Sequence, residues 1–377
     1  MKWLRGRSFA TALCCASVIL GLSAAAFAGD SAHWKQAIEP RDWRFPRDHG
    51  AHPGYRTEWW YFTGNLTDGK GNRYGYELTF FREGIRHNRP GADGVWSLYD
   101  LYLAHFAITD VSRRRFIADD RVSRTGPGLA GARTDRLHVW LRDWSAAEAV
   151  GVPLVLRAKN DVAGLSLDLV PLEPPVIHGE KGISRKGEKP GQASYYVSCP
   201  DLETKGLLKT PEEPTGVEVR GVSWFDHEFG SNQLNPDQEG WDWFGLHLSD
   251  GRALMLYFLR RTDGSAEPAS SGTIIDPSGH YRHLPLSHIR IEVLDRWRSP
   301  GSGATYPSRW RIIVPAEGLE LVVQPLLEDQ ELLTPDTTGV TYWEGAVEGK
   351  GLSGNRKVTC EGYVELTGYA GKLGGLF

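Results

Sequence analysis

The chain has 377 residues with 43 Lys plus Arg against 47 Asp plus Glu, a formal net charge of -4. So small a charge over this length excludes the basic footprint that a nucleic-acid partner needs, and the short run Arg113-Arg114-Arg115 reads as a solvated loop edge. With 14 Trp, 14 Tyr and 13 Phe against 2 Met, the chain carries enough ring surface to line a large aromatic cavity.

The first residues have the layout of a secretory signal. Lys2, Arg5 and Arg7 form a basic start, Ser8 to Leu22 is apolar or small, and Ala26-Phe27-Ala28 is a small-x-small cleavage pattern. A membrane-spanning helix needs about 20 mostly apolar residues; this run is shorter and leads straight into Asp30, His33 and Lys35. We expect cleavage after Ala28, export to the periplasm and no transmembrane segment in the mature chain. A lipid anchor at Cys14 or Cys15 is not expected, because bulky Leu13 precedes Cys14. Cleavage leaves Cys199 and Cys360 in an oxidising compartment. They form one disulfide, worth about 5 kcal/mol in the chain-entropy model, or stay as two buried thiols; the sequence leaves both open.

The mature chain, about 350 residues, exceeds one typical domain. Its segments alternate with a period of two and are punctuated by Gly, Asp, Asn and Pro, the pattern of a meandering sheet or barrel. Glu58 to Leu66 and Tyr74 to Arg82 form a hairpin around Thr67-Asp68-Gly69 and Lys70-Gly71-Asn72. Leu98 to Thr109, Leu137 to Trp144, Pro153 to Ala158 and Leu165 to Val170 follow as strands. Pro171 to Gln192, rich in Pro, Gly and Lys, reads as a long exposed loop. Strands resume at Ser194 to Ser198 and Val217 to Phe229, and the domain boundary is placed in Ser231 to Gly240. A second series begins with the hairpin of Trp241 to Ser249 and Leu254 to Arg261. Gly272 to Asp276, Tyr281 to Leu284, Ile289 to Trp297, Arg309 to Val314, Leu319 to Leu326, Thr341 to Glu348 and Cys360 to Thr367 complete it. The two Trp-rich opening hairpins hint at an internal duplication.

Five motifs then point one way: His52-Pro53-Gly54-Tyr55-Arg56-Thr57-Glu58-Trp59-Trp60-Tyr61-Phe62, Trp224-Phe225-Asp226-His227-Glu228-Phe229-Gly230, Gly240-Trp241-Asp242-Trp243-Phe244, Tyr342-Trp343-Glu344-Gly345 and Gly362-Tyr363-Val364-Glu365-Leu366. Together they resemble the AttH/CrtC-type lipocalin-like family of predicted secreted hydrolases and carotenoid 1,2-hydratases. The resemblance implies an all-β fold of two tandem lipocalin-like (calycin) β-barrel domains. We place the signal at 1–28, an N-terminal extension at 29–50, the first domain at 51–231 and the second at 232–371.

The segment Asp226-His227-Glu228 is the leading catalytic candidate, because burial among Trp224, Phe225 and Phe229 would raise the two carboxyls and lower His227, which suits proton donation near neutral pH. Strand geometry divides them. Trp224, Asp226 and Glu228 share one face, and Phe225, His227 and Phe229 share the other. The resemblance implies catalysis by His227 and the aromatic at 229, where the family hydratases carry Trp and this chain has Phe229. It also implies Tyr257 as the Tyr of a Tyr-x-Asp pair, whose acid is replaced here by Leu259. Glu58 is either a pocket group or half of a buried ion pair with Arg56 or Arg82, and Trp60, Trp224, Trp241 and Trp243 are read as pocket walls. No Gly-x-Ser-x-Gly elbow is present, and neither a metal-ligand set nor a phosphate-cradling Gly turn is recognised. No metal and no cofactor are therefore expected. Two functions remain in view: a hydratase or hydrolase-type enzyme acting on a hydrophobic, isoprenoid or lipid-like substrate in an aromatic-lined barrel pocket, and a non-catalytic periplasmic carrier for such a ligand.

Overall fold

The computed structural model describes residues 34–87, 98–149, 152–231, 234–334 and 337–371; the expected signal lies outside them. Among the described residues there is no α-helix, and no helix is long and apolar enough to cross a membrane. The first sheet contains β1 (Thr57–Asp68), β2 (Arg73–Gly84), β3 (Asp100–Asp110), β4 (Arg115–Arg124), β5 (Ala130–Ala132), β6 (His138–Leu141) and β7 (Trp144–Ala149). It continues through β8 (Val152–Lys159), β9 (Gly164–Pro171), β10 (Val176–Ile177), β11 (Ser184–Arg185), β12 (Ala193–Thr210) and β13 (Glu213–Gly230). The second contains β14 (Gln238–Leu248), β15 (Ala253–Arg261), β16 (Ser271–Ile275), β17 (Tyr281–Pro285) and β18 (Arg290–Arg298). It ends with β19 (Thr305–Val314), β20 (Leu319–Pro325), β21 (Glu331–Leu333), β22 (Thr341–Ser353) and β23 (Arg356–Leu366).

The order in the first sheet is β4-β3-β2-β1-β13-β12-β9-β8-β7-β6-β5, with β10 and β11 added beside β12. It curls until edge strand β4 packs against β5 and β6. The second runs β17-β16-β15-β14-β23-β22-β20-β19-β18, with β21 beside β22. In both, the opening strand lies between its hairpin partner and the last strand of the same sheet: β1 between β2 and β13, β14 between β15 and β23. The duplication suggested by the two Trp-rich hairpins is thus present as topology.

Local chemistry explains the first hairpin. The Asp68 carboxylate accepts from the backbone N–H of Lys70 at 2.8 Å and of Asn72 at 2.9 Å, and Gly71 takes the left-handed conformation at φ +83° that the turn requires. Other elements depart from the sequence reading. Leu137 to Trp144 is broken into β6 and β7 where Arg142 adopts φ +57°, and β4 was not anticipated at all. The supposed exposed loop between Pro171 and Gln192 is partly drawn inward: Val176, His178, Ser184 and Lys186 are buried, because β10 and β11 pair with β12.

Each curled sheet fills its centre with its own side chains. Trp60, Phe62, Phe80, Phe106 and Trp144 pack the first; Phe244, Trp310, Ile312 and Trp343 pack the second. Cys199 belongs to the first core and Cys360 to the second, and both are free thiols. Of the two arrangements the sequence leaves open, the structure has the two buried thiols, one in each core. A third cluster, including Tyr61, Tyr196, Trp243 and Tyr257, occupies the seam between the sheets.

Candidate functional site

The aromatic cavity lies in that seam and not inside a barrel. Its enclosed space, about 60 Å³, is walled by Trp59, Tyr61 and Phe81 of the first sheet and by Trp241, Trp243 and Tyr257 of the second. Register makes the wall. Asp226 on β13 pairs with Tyr61 on β1 and with Ser198 on β12, while Glu228 pairs with Trp59 and Tyr196. Cross-strand partners share a face, so the even-numbered side of β13 looks into the seam. Across it, Trp243 pairs with Tyr257 and Glu365, and Glu365 with Glu344.

Acids outnumber bases in this cavity. It is lined by Glu77, Asp226, Glu228, Glu344 and Glu365, with Lys186 as the cation. Lys186 sits 2.8 Å from Glu228 and 3.8 Å from the centroid of the Tyr257 ring, so its charge is already committed. Glu228 also accepts from Ser194. Lys186 itself is pushed down by burial.

Among the described residues the other four carboxyls form no ion pair, and burial raises each. Asp226 is pushed up to about 7, first by burial, although the hydroxyls of Ser198 and Tyr196 and the indole of Trp224 all donate to it. Glu77 is pushed up to about 7 by burial; its Oε1 accepts from Thr79 at 2.6 Å, and its Oε2 has no partner. Glu365 is pushed up to about 8, again by burial, and accepts from the Trp241 indole at 2.7 Å. Glu344 also stands well above the ordinary carboxylate range, through burial and the neighbouring Glu365 and Glu77. Its Oε1 accepts from Tyr61 at 2.5 Å, and its Oε2 has no partner. An uncompensated carboxyl in a dry site holds its proton and becomes a general acid near neutral pH.

The odd-numbered side of β13 faces the first core. His227 is fully buried there, its Nε2 2.9 Å from Glu58 Oε1. Glu58 also accepts from His52 Nδ1 at 2.8 Å and from Arg82 Nε at 3.0 Å, and Arg82 continues to Asp100 at 3.1 Å. Burial alone would raise Glu58; the Arg82 guanidinium and the two imidazoles hold it well below the usual range. Trp60 stacks on His227 with centroids 5.0 Å apart, and Phe229 stacks on His52 at 3.7 Å. His227, Glu58, Trp60 and Phe229 therefore belong to a network on the core side of β13 and do not line the seam cavity, as strand alternation requires. His52, Glu58 and His227 present ligand atoms within 4.8 Å of one another. Both Glu58 oxygens, however, already accept hydrogen bonds, and the adjacent guanidinium opposes a second cation.

Of the remaining sequence candidates, Asp226, Glu228, Tyr257, Trp241 and Trp243 do line the cavity. Trp224 stands behind it and donates to Asp226 at 2.6 Å. The sequence reading missed Glu77, Tyr61, Tyr196, Lys186, Tyr342, Glu344 and Glu365. Two of these acids had a signal: Tyr342-Trp343-Glu344 and Tyr363-Val364-Glu365 are within motifs already singled out, and alternation pairs Tyr342 with Glu344 on one face. Lys186, in a Pro- and Gly-rich segment, had none. A more open, mainly apolar cavity of about 340 Å³ at the first sheet is lined by Leu137, Leu154, Leu202 and Phe225, with His49, Glu148 and Cys199 as its ionisable groups.

Residues 36–369 match the family model described as AttH-like. The chain belongs to the AttH-like family. Among solved structures, this AttH-like chain is similar to an AttH-type protein from Nitrosomonas europaea, at 33% identity over 89% of this chain and 99% of that one, with a TM-score of 0.79. It is also similar to kievitone hydratase from Nectria haematococca, at 17% identity over 90% of this chain and 97% of that one, with a TM-score of 0.66. CghA superimposes with a TM-score of 0.51 at 13% identity, covering 91% of this chain and 98% of that one. The last two show a shared fold. No curated protein matches the chain.

Proposed function

We propose that this AttH-like chain is an exported enzyme of the hydratase type, which adds water to, or removes it from, a carbon–carbon double bond in an apolar substrate held in the seam between the sheets. The observation that carries this reading is the set of carboxyls without cationic partners in an aromatic cavity, two of them with a bare oxygen. Such a set supplies both an acid and a base when neighbouring groups hold their protons with different strength. Glu344, with one bare oxygen and a single phenol donor, gives its proton to the alkene carbon. Asp226, whose carboxylate is favoured by three donors, is the base that takes a proton from the attacking water. The ring faces of Trp59, Trp241 and Trp243 shield the reacting carbon. A cavity of about 60 Å³ suits the reacting end of a substrate better than the whole of a long chain.

Hydrolysis through a nucleophile is less well supported. The cavity lining contains no Ser or Cys, and Thr79 is engaged with Glu77. A kinship of fold with a protein named kievitone hydratase is consistent with water addition.

The test is to purify the mature protein, identify the co-purifying apolar molecule by mass spectrometry and incubate it with fresh protein in heavy-oxygen water. Incorporation of one labelled oxygen, reduced about 100-fold or more in Asp226→Asn and Glu344→Gln, is the expected result. Binding of an unchanged molecule by the native protein and by both variants would establish carriage in place of catalysis.

A further inference from the structure

Behind the pocket wall the Asp226 carboxyl continues into a chain of hydrogen bonds that the reaction above does not use. Ser198, its partner across β12, donates to Asp226 Oδ1. The Ser198 hydroxyl lies 2.6 Å from His178 Nε2, and His178 Nδ1 lies 2.8 Å from the hydroxyl of Thr273 on β16 of the second sheet. Ser198, His178 and Thr273 are 0, 1 and 1% exposed. The imidazole is placed by the pairing of β10 with β12 and by packing on the Tyr196 ring, centroids 4.3 Å apart. Beyond Thr273, its cross-strand partner is the half-buried His283 on β17.

Each member of this chain can both give and accept a proton. With Asp226 ionised, Thr273 donates to His178 Nδ1, Nε2–H donates to Ser198, and Ser198 donates to the carboxylate. With Asp226 protonated, every bond runs the other way, and the imidazole is the opposite neutral tautomer. Asp226, Ser198 and His178 keep their partners in both states; the Thr273 hydroxyl hydrogen alone must turn away, towards the side of its cross-strand neighbour His283, whose Nδ1 has no hydrogen-bond partner among the described residues.

We propose that Ser198, His178 and Thr273 form a proton relay that loads and unloads Asp226 from the rear of the pocket while a ligand closes the front. The proposal rests on Asp226 exchanging a proton in the reaction. For unloading, the Asp226 proton passes to Ser198, the Ser198 proton to His178 Nε2, the Nδ1 proton to Thr273, and the former Thr273 proton goes to solvent water on the side of the half-buried His283. One proton departs, and the imidazole is uncharged before and after. These three are positioning and relay residues; none lines the cavity.

The groups facing Asp226 are Tyr61 on β1, Tyr196 and Ser198 on β12, Trp224 and Glu228 on its own strand, Glu344 on β22, Glu365 on β23, and Lys186. Those facing His178 are Tyr196, Ser198, Thr273, Lys186 and His283. Burial, then Lys186 and His283, push His178 down to about 3, so it stays neutral where Asp226 titrates.

The experiment is nitrogen NMR of the histidine-labelled mature protein from about pH 5 to 9, with the Asp226 carboxyl carbon followed in parallel. The expected result is an exchange of the protonated position between the two His178 nitrogens at the midpoint of the Asp226 titration, with a single fixed tautomer in Asp226→Asn and in Ser198→Ala. A His178 that keeps one tautomer while Asp226 titrates, or that becomes an imidazolium, overturns the relay and leaves the hydratase reading intact. An Asp226 that does not titrate in this range overturns both. Should Ser198→Ala fail to fold, the native protein alone decides.

Discussion

Glu58 and Glu344 are both wholly buried, in neighbouring regions of one molecule, and they have opposite chemistry. On the core side of β13, Glu58 receives Arg82, His52 and His227 and is held ionised. On the seam side, Glu344 receives a single phenol, has one bare oxygen and is held protonated. Burial is common to the two, so burial does not decide the charge. What decides it is whether a cation came inside with the carboxyl. The core side spends its polar groups on one another, and the seam side keeps them available.

The comparison is broken most severely at the cation. Arg82→Met removes the guanidinium that Glu58 and Asp100 share, and we expect a loss of about 3–5 kcal/mol in urea denaturation, enough to unfold a marginal domain. A variant that stays near native stability would show that the core network is not held by the guanidinium. His227→Ala comes next: it opens a void and removes one donor from Glu58, at a cost of about 2–4 kcal/mol. At a temperature where it remains folded, its turnover should stay within a few-fold of the native protein. Abolished turnover at unchanged stability would return His227 to the chemistry, as the family resemblance implied.

The smallest effect sharpens the other side. Glu77 holds its proton up to about 7 in the fold and only to about 4.3 when unfolded. Between those values the folded state binds more protons, so stability falls as pH rises. Glu77→Gln should flatten that decline and raise stability at about pH 8 by roughly 2 kcal/mol, as read from urea midpoints at two pH values. An unaltered pH profile would mean that Glu77 is compensated by a group outside the described residues.

Much of the fold could be read from residues alone. Asp68 and Gly71 announced the first hairpin, and alternation along β13 correctly separated Asp226 from His227. Which of those two faces looked into a cavity could not be read, because Trp59, Trp60 and Tyr61 place rings on both sides of β1 and erase the polar-out signal that normally orients a strand. Resemblance then favoured the histidine side, and the geometry favours the acid side. The lengths of β12 and β13, 18 residues each, depend on pairing with each other and with β9, which is not local information. Lys186 and His178 were hidden for a related reason: a Pro- and Gly-rich stretch reads as solvent-exposed until a neighbouring strand draws it in.

The cavity draws its wall from both sheets, and the chain crosses from one to the other between Gly230 and Gln238. During synthesis the earlier half emerges with an oily, ring-covered flank that has nothing to cover it until the later half is made. Joining both halves in one polypeptide guarantees equal supply of the two and keeps that flank from meeting strangers. Severed at this crossing and produced apart, the pieces would be prone to clump, and neither would own a complete cavity.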